Sequence, residues 1–444
     1  MYFRVLSVTL ACFSVLGGSP SLAIGASTTC RFVDGQLLKV EDVLRCAHLD
    51  RDVQLADSEL RQAGAAVTRA YDPYLPDVAL RGEHEFHNSR NGAYLNVDVN
   101  VFDKGRDING IRIAKSNQRV IQFGRERRIL AAQLTLVDLY YTAVFGSQQR
   151  KLLEGDLAFL KSIRAKVSKF FRHQVVSRRQ NLHVTREITL AEQRLVAARF
   201  QEEQALQQLR TQLAFDVGGA QSKPKDLKLE ELKNFKIEPK WTASFEELRG
   251  AAMKSSKSLA EINEAMSQYD AKKWLAYSDQ LPRVGFNFRA GRLYDNGTPV
   301  HPDYEASIRV EIPLPIFDVP LMLPSINREL GETLKRQEIS ATTLRENLEA
   351  DVAIRLTRLQ QVEGQLVSSR AIMQILQEER EEEEKAVKMG ALEGSDFVLA
   401  VQQSRDLALS NLNFLRLKSV DYVSLKLMTG GPWESWLREL RSEP

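Results

Sequence analysis

The chain has 444 residues, 43% hydrophobic and 27% charged, enough for two or three ordinary domains and close to globular averages. Its 61 basic residues are almost balanced by 58 acidic ones. The net charge of +3 excludes a domain-wide basic field, so nucleic acid is not an expected partner.

At the N-terminus, MYFR carries a basic residue, VLSVTLACFSVLGG an apolar run, and Ser21-Leu22-Ala23 a small-x-small cleavage site. Together they predict a secretory signal peptide over 1–23 and a mature chain starting near Ile24, outside the cytoplasm. The apolar run is shorter than the ~20 residues that a membrane span needs. Neither Cys12 nor Cys30 has the leucine three residues earlier that lipoprotein signals use, so lipidation is not the leading expectation. Cys30 and Cys46 remain as a pair that an oxidising compartment can join, with two free thiols as the alternative. Beyond the signal no uninterrupted apolar stretch reaches 18 residues, and a membrane crossing by helices is not expected.

Weak alternation near 78–86 precedes a strict one, LNVDVNVFD at 95–103. There Leu95, Val97, Val99 and Val101 share one face of a strand and Asn96, Asp98 and Asn100 the other, because successive side chains alternate. From 105 to 172, without proline, Leu130, Leu134, Val137, Tyr141 and Val144 recur at steps of three and four, the period of an amphipathic helix. A break between Arg172 and Asn181 folds this helix back into a shorter one, which runs to about 217 and ends in LAFDVGG, a glycine pair suited to a C-cap. The segment 218–241 is polar and lysine-rich and reads as an exposed connector.

The order of elements then recurs. Val284, Phe286, Phe288 and Ala290 alternate with Gly285, Asn287, Arg289 and Gly291, and Ile308, Val310, Ile312 and Leu314 alternate with Arg309, Glu311 and Pro313. A second long helix is predicted over 326–389 from Leu348, Val352, Leu356, Leu359 and Val362, turning near 390–395 into a helix that ends in LKLMTGG. YLPDVAL (74–80) matches QLPRVGF (280–286), and VNVFD (99–103) matches LPIFD (314–318). The chain therefore divides into a signal (1–23), a first repeat (24–217), a connector (218–241), a second repeat (242–430) and a tail (431–444).

Helices of this length would run on the order of 100 Å, far beyond a globular helix. Four strands of about ten residues, apolar on one face and polar on the other, are the pattern of transmembrane β-strands between lipid and water. A half-buried soluble sheet alternates in the same way and is the competing account. Four strands cannot close a barrel, and an open edge in lipid leaves N–H and C=O groups unpaired, so a membrane sheet here must be shared between protomers.

With the duplication in place, the chain resembles the TolC-like outer-membrane efflux proteins over nearly all of its mature length. The resemblance rests on Leu75-Pro76 and Leu281-Pro282, on Phe102-Asp103 and Phe317-Asp318, on the turn MGALEGSDFVL (389–399) and on Thr429-Gly430. It implies a mainly α fold with a membrane β-barrel part: a homotrimer with a twelve-stranded barrel in the outer membrane, long helical hairpins forming a periplasmic tunnel, and the connector at its equator. It also implies a Gram-negative bacterium, and passive exit through a tripartite efflux pump or type I secretion system, with an adaptor and an inner-membrane transporter as partners. Gly390 and Asp396 match the glycine and aspartate of the second tip turn. The first turn departs, with Gln174 where glycine is usual and Gln180 where an acidic residue often stands.

The expected roles follow. Leu95, Val97, Val99, Val101, Val284, Phe286, Phe288, Ile308, Val310 and Ile312 face lipid, and Asn96, Asp98, Asn100, Asn287, Arg289, Arg309, Glu311 and Glu384 face the lumen. Gln174, Arg178, Arg179, Gln180, Gly390 and Asp396 form the periplasmic tip, where the basic cluster that includes Arg172 is equally well read as a solvated turn. The acidic run QEEREEEEK (377–385) either contributes carboxylates to the lumen or covers a wet helix face. His84 and His87 are three apart and fall on opposite faces of a strand, while His173 and His183 have no carboxylate or cysteine at ligand spacing, so no metal is expected. No phosphate-binding glycine loop, nucleophile elbow or zinc-protease helix occurs, and neither a cofactor nor an enzymatic activity is expected. The alternative function is a secreted helical scaffold with a soluble strand collar.

Overall fold

A computed structural model describes residues 37–85, 90–102, 105–174, 177–213, 228–229, 243–278, 283–295, 298–311, 319–389 and 394–430. A two-residue strand, Leu37–Leu38 (β1), precedes Val40–Arg45 (α1) and a 3-10 turn at Cys46–Leu49. Arg51–Arg69 (α2) starts at Asp50, whose carboxylate accepts from the Asp52 amide at 2.8 Å and satisfies one of the N–H groups that a helix start leaves open. Then come two strands, Asp77–Glu85 (β2) and Arg90–Phe102 (β3), and two helices, Arg106–Arg172 (α3) and Arg178–Leu213 (α4). After Lys228–Leu229 (β4), three short helices, Phe245–Ser255 (α5), Lys257–Ser267 (α6) and Tyr269–Ser278 (α7), stand where the first half has α2. The second half closes with Arg283–Asp295 (β5), Thr298–Glu311 (β6), Val319–Met389 (α8) and Gly394–Met428 (α9).

The helices α3 and α8 have 67 and 71 residues. At 1.5 Å per residue each is about 100 Å long, so the strands that feed them lie that far from the turns that end them. Helix α8 begins at Val319, earlier than position 326; Pro320 falls in its first turn, where a missing N–H costs nothing, and Pro324 lies inside the helix, where its missing N–H leaves one helix bond unmade. Helix α4 begins three residues before Asn181 because Ser177 caps it. The Gln180 amide donates to Ser177 Oγ at 3.3 Å, and the Ser177 amide donates back to Gln180 Oε1 at 2.8 Å.

Helices α1, α3, α4, α5, α8 and α9 share one large core around Leu44, Tyr140, Leu209, Val352, Leu359 and Leu425. Tyr140 and Tyr141 meet edge to face at 5.4 Å, and the Tyr140 hydroxyl donates to the Leu38 carbonyl at 3.3 Å. One window of α3 is long and apolar enough to cross a membrane, but nearly half of it is buried in the protein. Its Leu136, Val137, Tyr140, Ala143 and Val144 are part of the buried interior. Of the connector, Lys228 and Leu229 are described: as β4 they pair in parallel with β1, and Leu229 is partly buried against the core.

The larger sheet has the order β2-β3-β5-β6, every neighbour antiparallel. Two hairpins, one from each half of the chain, are thus joined through β3 and β5. The strand expected at 95–103 extends back to Arg90, and the one expected from Ile308 starts at Thr298. The extension of β3, RNGAY, is short and polar. In that of β6, Val300, Pro302, Tyr304 and Ala306 alternate with His301, Asp303, Glu305 and Ser307, a pattern that the prolines at 299 and 302 disguise because proline argues against a strand.

Candidate channel wall and tip

The register converts alternation within strands into two faces across the sheet. Val78 lies opposite Val97, Val97 opposite Phe288, and Phe288 opposite Ala306; Leu80, Leu95, Ala290 and Tyr304 form the next row, and Val99, Phe286 and Ile308 another. Within the single chain this apolar face is open, with Leu80 80% and Ile308 72% exposed. A contiguous exposed patch of this kind marks a surface that something apolar covers.

The opposite face is polar in the same rows. Asp77, Asp98, Asn287 and Ser307 make one row, and Ala79, Asn96, Arg289 and Glu305 the next. Asn287 donates to the Asp98 carboxylate, and Asn96 is only 9% exposed, so this face is lined and partly closed over. Its tightest point involves Tyr94, which the alternating run missed. Tyr94 is 3% exposed, with the Arg289 guanidinium 3.5 Å from its ring centroid. Its ring occupies the space above Gly291, where a Cβ would fall 2.3 Å from Tyr94 Cδ1 and 2.5 Å from the Ala93 carbonyl oxygen. Only glycine fits there, and the aromatic ring covers what glycine leaves bare. Counting back by two from Asn96 places Tyr94 on the polar face, which is the signal that finds it.

Of the expected lumen residues, Asn96, Asp98, Asn287, Arg289 and Arg309 share this polar face by register. Asn100 and Glu311 lie on it by the same pairing, although their side chains are outside the described set. The expected lipid residues Leu95, Val97, Val99, Val284, Phe286, Phe288, Ile308 and Val310 share the apolar face, and Val101 falls within β3. Ile312 lies outside the described residues.

At the far end of α3, Gln174 takes a left-handed conformation with φ +60°, which an L side chain adopts at a cost and glycine does not. Arg178 and Arg179 are exposed, whereas the Gln180 side chain accepts from the amide of Ser177, the cap of α4. Gly390 and the Asp396 and Glu384 side chains are outside the described residues, so the tip and lumen roles expected of them are not placed.

Charge pairs hold the helices between sheet and tip. Arg150 of α3 meets Glu202 of α4 at 2.6 Å and Glu154 at 3.1 Å, and Arg199 reaches Glu154 at 2.8 Å. Hydrogen bonds from Arg199 and Arg150 hold the Glu154 carboxyl below the usual glutamate range. Burial works against the charge of Glu264 in α6, but hydrogen bonds from Ser116 and Arg119 of α3 outweigh it and its pKa is also low. Asp421 of α9 goes the other way: burial pushes it up although Arg358 and Arg355 lie 3.4 and 3.0 Å from its oxygens. Cys46 is buried and disulfide-bonded, and Cys30, its expected partner, lies outside the described residues. No group of three or more metal-ligating side chains converges among the described residues.

No protein-family profile matches the sequence. No curated protein matches it either. Solved structures do. CusC, studied for the conformational changes that accompany folding and transmembrane channel formation, superposes with a TM-score of 0.74 at 15% identity, over 90% of this chain and 93% of that one. The outer-membrane channel OprN gives 0.72 at 14% identity, over 93% and 96%. The outer membrane protein VceC of Vibrio cholerae gives 0.72 at 12% identity, over 89% and 96%. The chain has the TolC-like outer-membrane channel fold. Within that TolC-like fold, a small antiparallel sheet stands beside the long α3/α4 and α8/α9 helical hairpins.

Proposed function

We propose that three copies of this chain form an exit duct in the outer membrane of a Gram-negative bacterium, with the helical hairpins reaching through the periplasm towards an adaptor and an inner-membrane transporter. The observation that carries the proposal is the four-stranded sheet with one continuous apolar face and two edges, β2 and β6, that pair with no other described strand. Strand direction alternates across it, so β6 of one copy would run antiparallel to β2 of the next, as closure requires. Closure removes the unpaired N–H and C=O groups that lipid cannot satisfy. The likeness to solved outer-membrane channels supports the same reading. Each protomer would contribute 24–217 and 242–430 as two repeats, with 218–241 between them at the equator. The duct does no chemistry; solutes move down their gradients or are driven by the transporter, and the hairpin turns around Gln174 and Gly390 gate the passage. Asn96, Asp98, Asn287, Arg289 and Arg309 would line the water-filled bore, with Leu95, Phe286, Ile308 and their rows against lipid.

The test is conductance of detergent-purified protein in a planar bilayer. Discrete steps that grow when the turn at Gln174 is altered support a gated duct. A protein that stays dispersed without detergent and gives no steps would instead be a helical scaffold with a soluble collar.

A further inference from the structure

The two hairpin ends carry opposite charge, and they lie on opposite edges of the protomer. Residues 157–186, which form the end of α3, the turn and the start of α4, include eight lysines and arginines and no acidic residue. Lys161 is paired with Glu192 at 2.9 Å, and Arg186 touches Glu187 at 3.6 Å. Arg164, Lys169, Arg172, Arg178 and Arg179 are exposed and form no ion pair with any described residue. The segment 378–384 near the end of α8 contains six glutamates and one arginine. Of these glutamates, Glu378, Glu379, Glu381 and Glu382 are exposed, and none pairs with a described cation. Counted from their turns, the acidic run and the basic segment of α3 fall at similar heights along their hairpins.

Packing within the protomer keeps these charges apart. Helix α9 packs on α8 and on α3 and α4, whereas α8 has no extended packing on α3 or α4. Near the tip, Val401 of α9 sits in one cluster with Val184 and Ile188 of α4 and with Ile163 and Val167 of α3. Helix α9 therefore stands between the acidic helix and the basic hairpin. Each free edge also exposes apolar side chains: Ile372 and Ile375 on α8, and Leu182, Val196 and Phe200 on α4.

We infer that the basic α3/α4 end of one copy docks on the acidic end of α8 in the next, forming a charge-paired seam that orders the copies head to tail. The inference rests on the cyclic assembly proposed above and names the surfaces that meet. Different patches on the two partners make a heterologous contact, which closes into a ring when the rotation permits. A set of unpaired cations facing a set of unpaired carboxylates also gives the contact its direction, since basic-to-basic and acidic-to-acidic pairings repel.

The seam is tested by co-expressing two singly substituted proteins that differ in tag length, one carrying Arg179→Cys and the other Glu382→Cys, and treating membranes with a short bismaleimide. Cys46 is already in a disulfide and does not compete. The expected product is a mixed dimer. Its yield should fall roughly fivefold at about 0.5 M salt, where screening shortens the range of exposed charge to about 4 Å. Reversing Glu378 and Glu381 to arginine in the second protein should give a similar loss, restored when Arg172 and Arg178 of the first become glutamate. No mixed dimer, or one indifferent to charge reversal and its compensation, overturns the seam. Capture of a different acidic protein at Arg179→Cys in place of the second copy also overturns it. Conductance of the unsubstituted protein separates the two proposals: channels without the cross-link reject the seam and keep the duct, and the cross-link without channels does the reverse.

Discussion

Two residues show how local backbone demands reach across the molecule. Gln174 holds φ +60° in the first tip turn. Replacing it with glycine removes a penalty of about 1–2 kcal/mol, so Gln174→Gly should raise the thermal unfolding midpoint and slow amide exchange around the turn. A drop in midpoint would mean that the side chain contributes more than its backbone costs. Gly430 is the opposite case. It has φ +72°, and a Cβ there would lie 2.6 Å from Ser255 Cβ, while Ser255 Oγ donates to the Met428 carbonyl at 2.6 Å. Gly430→Ala should cost upwards of about 2 kcal/mol in denaturant titration, from strain and overlap together. The sequence marks both positions, Gln174 by the missing glycine and Gly430 by the Thr-Gly pair that ends α9. It does not reveal Ser255, because that contact joins residues 175 apart in the chain and depends on how α5 packs.

Among the elements, the α3/α4 hairpin shows what ionisation contributes. Glu154 has a folded-state pKa below its unfolded value, so its stabilisation is present above the ordinary glutamate pKa of 4.5 and is lost as the pH falls through the folded value. Glu154→Gln should therefore melt below the parent at neutral pH, and the difference should close as the pH drops below the usual glutamate range. A gap that persists in acid would assign the loss to packing. The long helices themselves were legible from their three- and four-residue spacing, since apolar periodicity survives over many turns. The charge network was not: Arg150, Glu154, Arg199 and Glu202 look like any exposed charges until two antiparallel helices bring them into register. The basic turn and the acidic run were likewise visible separately, but their placement on opposite edges follows from the position of α9.

At the scale of the whole molecule, the sheet decides between membrane and water. Ile308 and Ser307 are neighbours in β6 that point to opposite faces. If the apolar face meets lipid, Ile308→Arg should cost about 2–4 kcal/mol per copy near the bilayer midplane and lower the yield of membrane-inserted protein, while Ser307→Arg should be tolerated. Equal effects from the two substitutions, read by heat-modified mobility of the extracted protein, would mean that both faces meet the same medium. Alternation predicted the two faces, and the duplicated Leu-Pro and Phe-Asp pairs predicted two hairpins. That β3 pairs with β5 and leaves β2 and β6 at the margins could not be read, because strand order is a property of contacts distant in sequence.

Those margins also bear on how the protein comes to exist. A solitary copy has a row of unsatisfied backbone groups on each side of a sheet whose apolar face already avoids water, the condition under which strands add to whatever strand they meet. Its time alone between synthesis and its final partners is therefore a hazard, and the rate of productive insertion should rise more steeply than in proportion to its concentration. The same two strands that would complete the proposed ring make the solitary copy the most vulnerable species in the life of the protein.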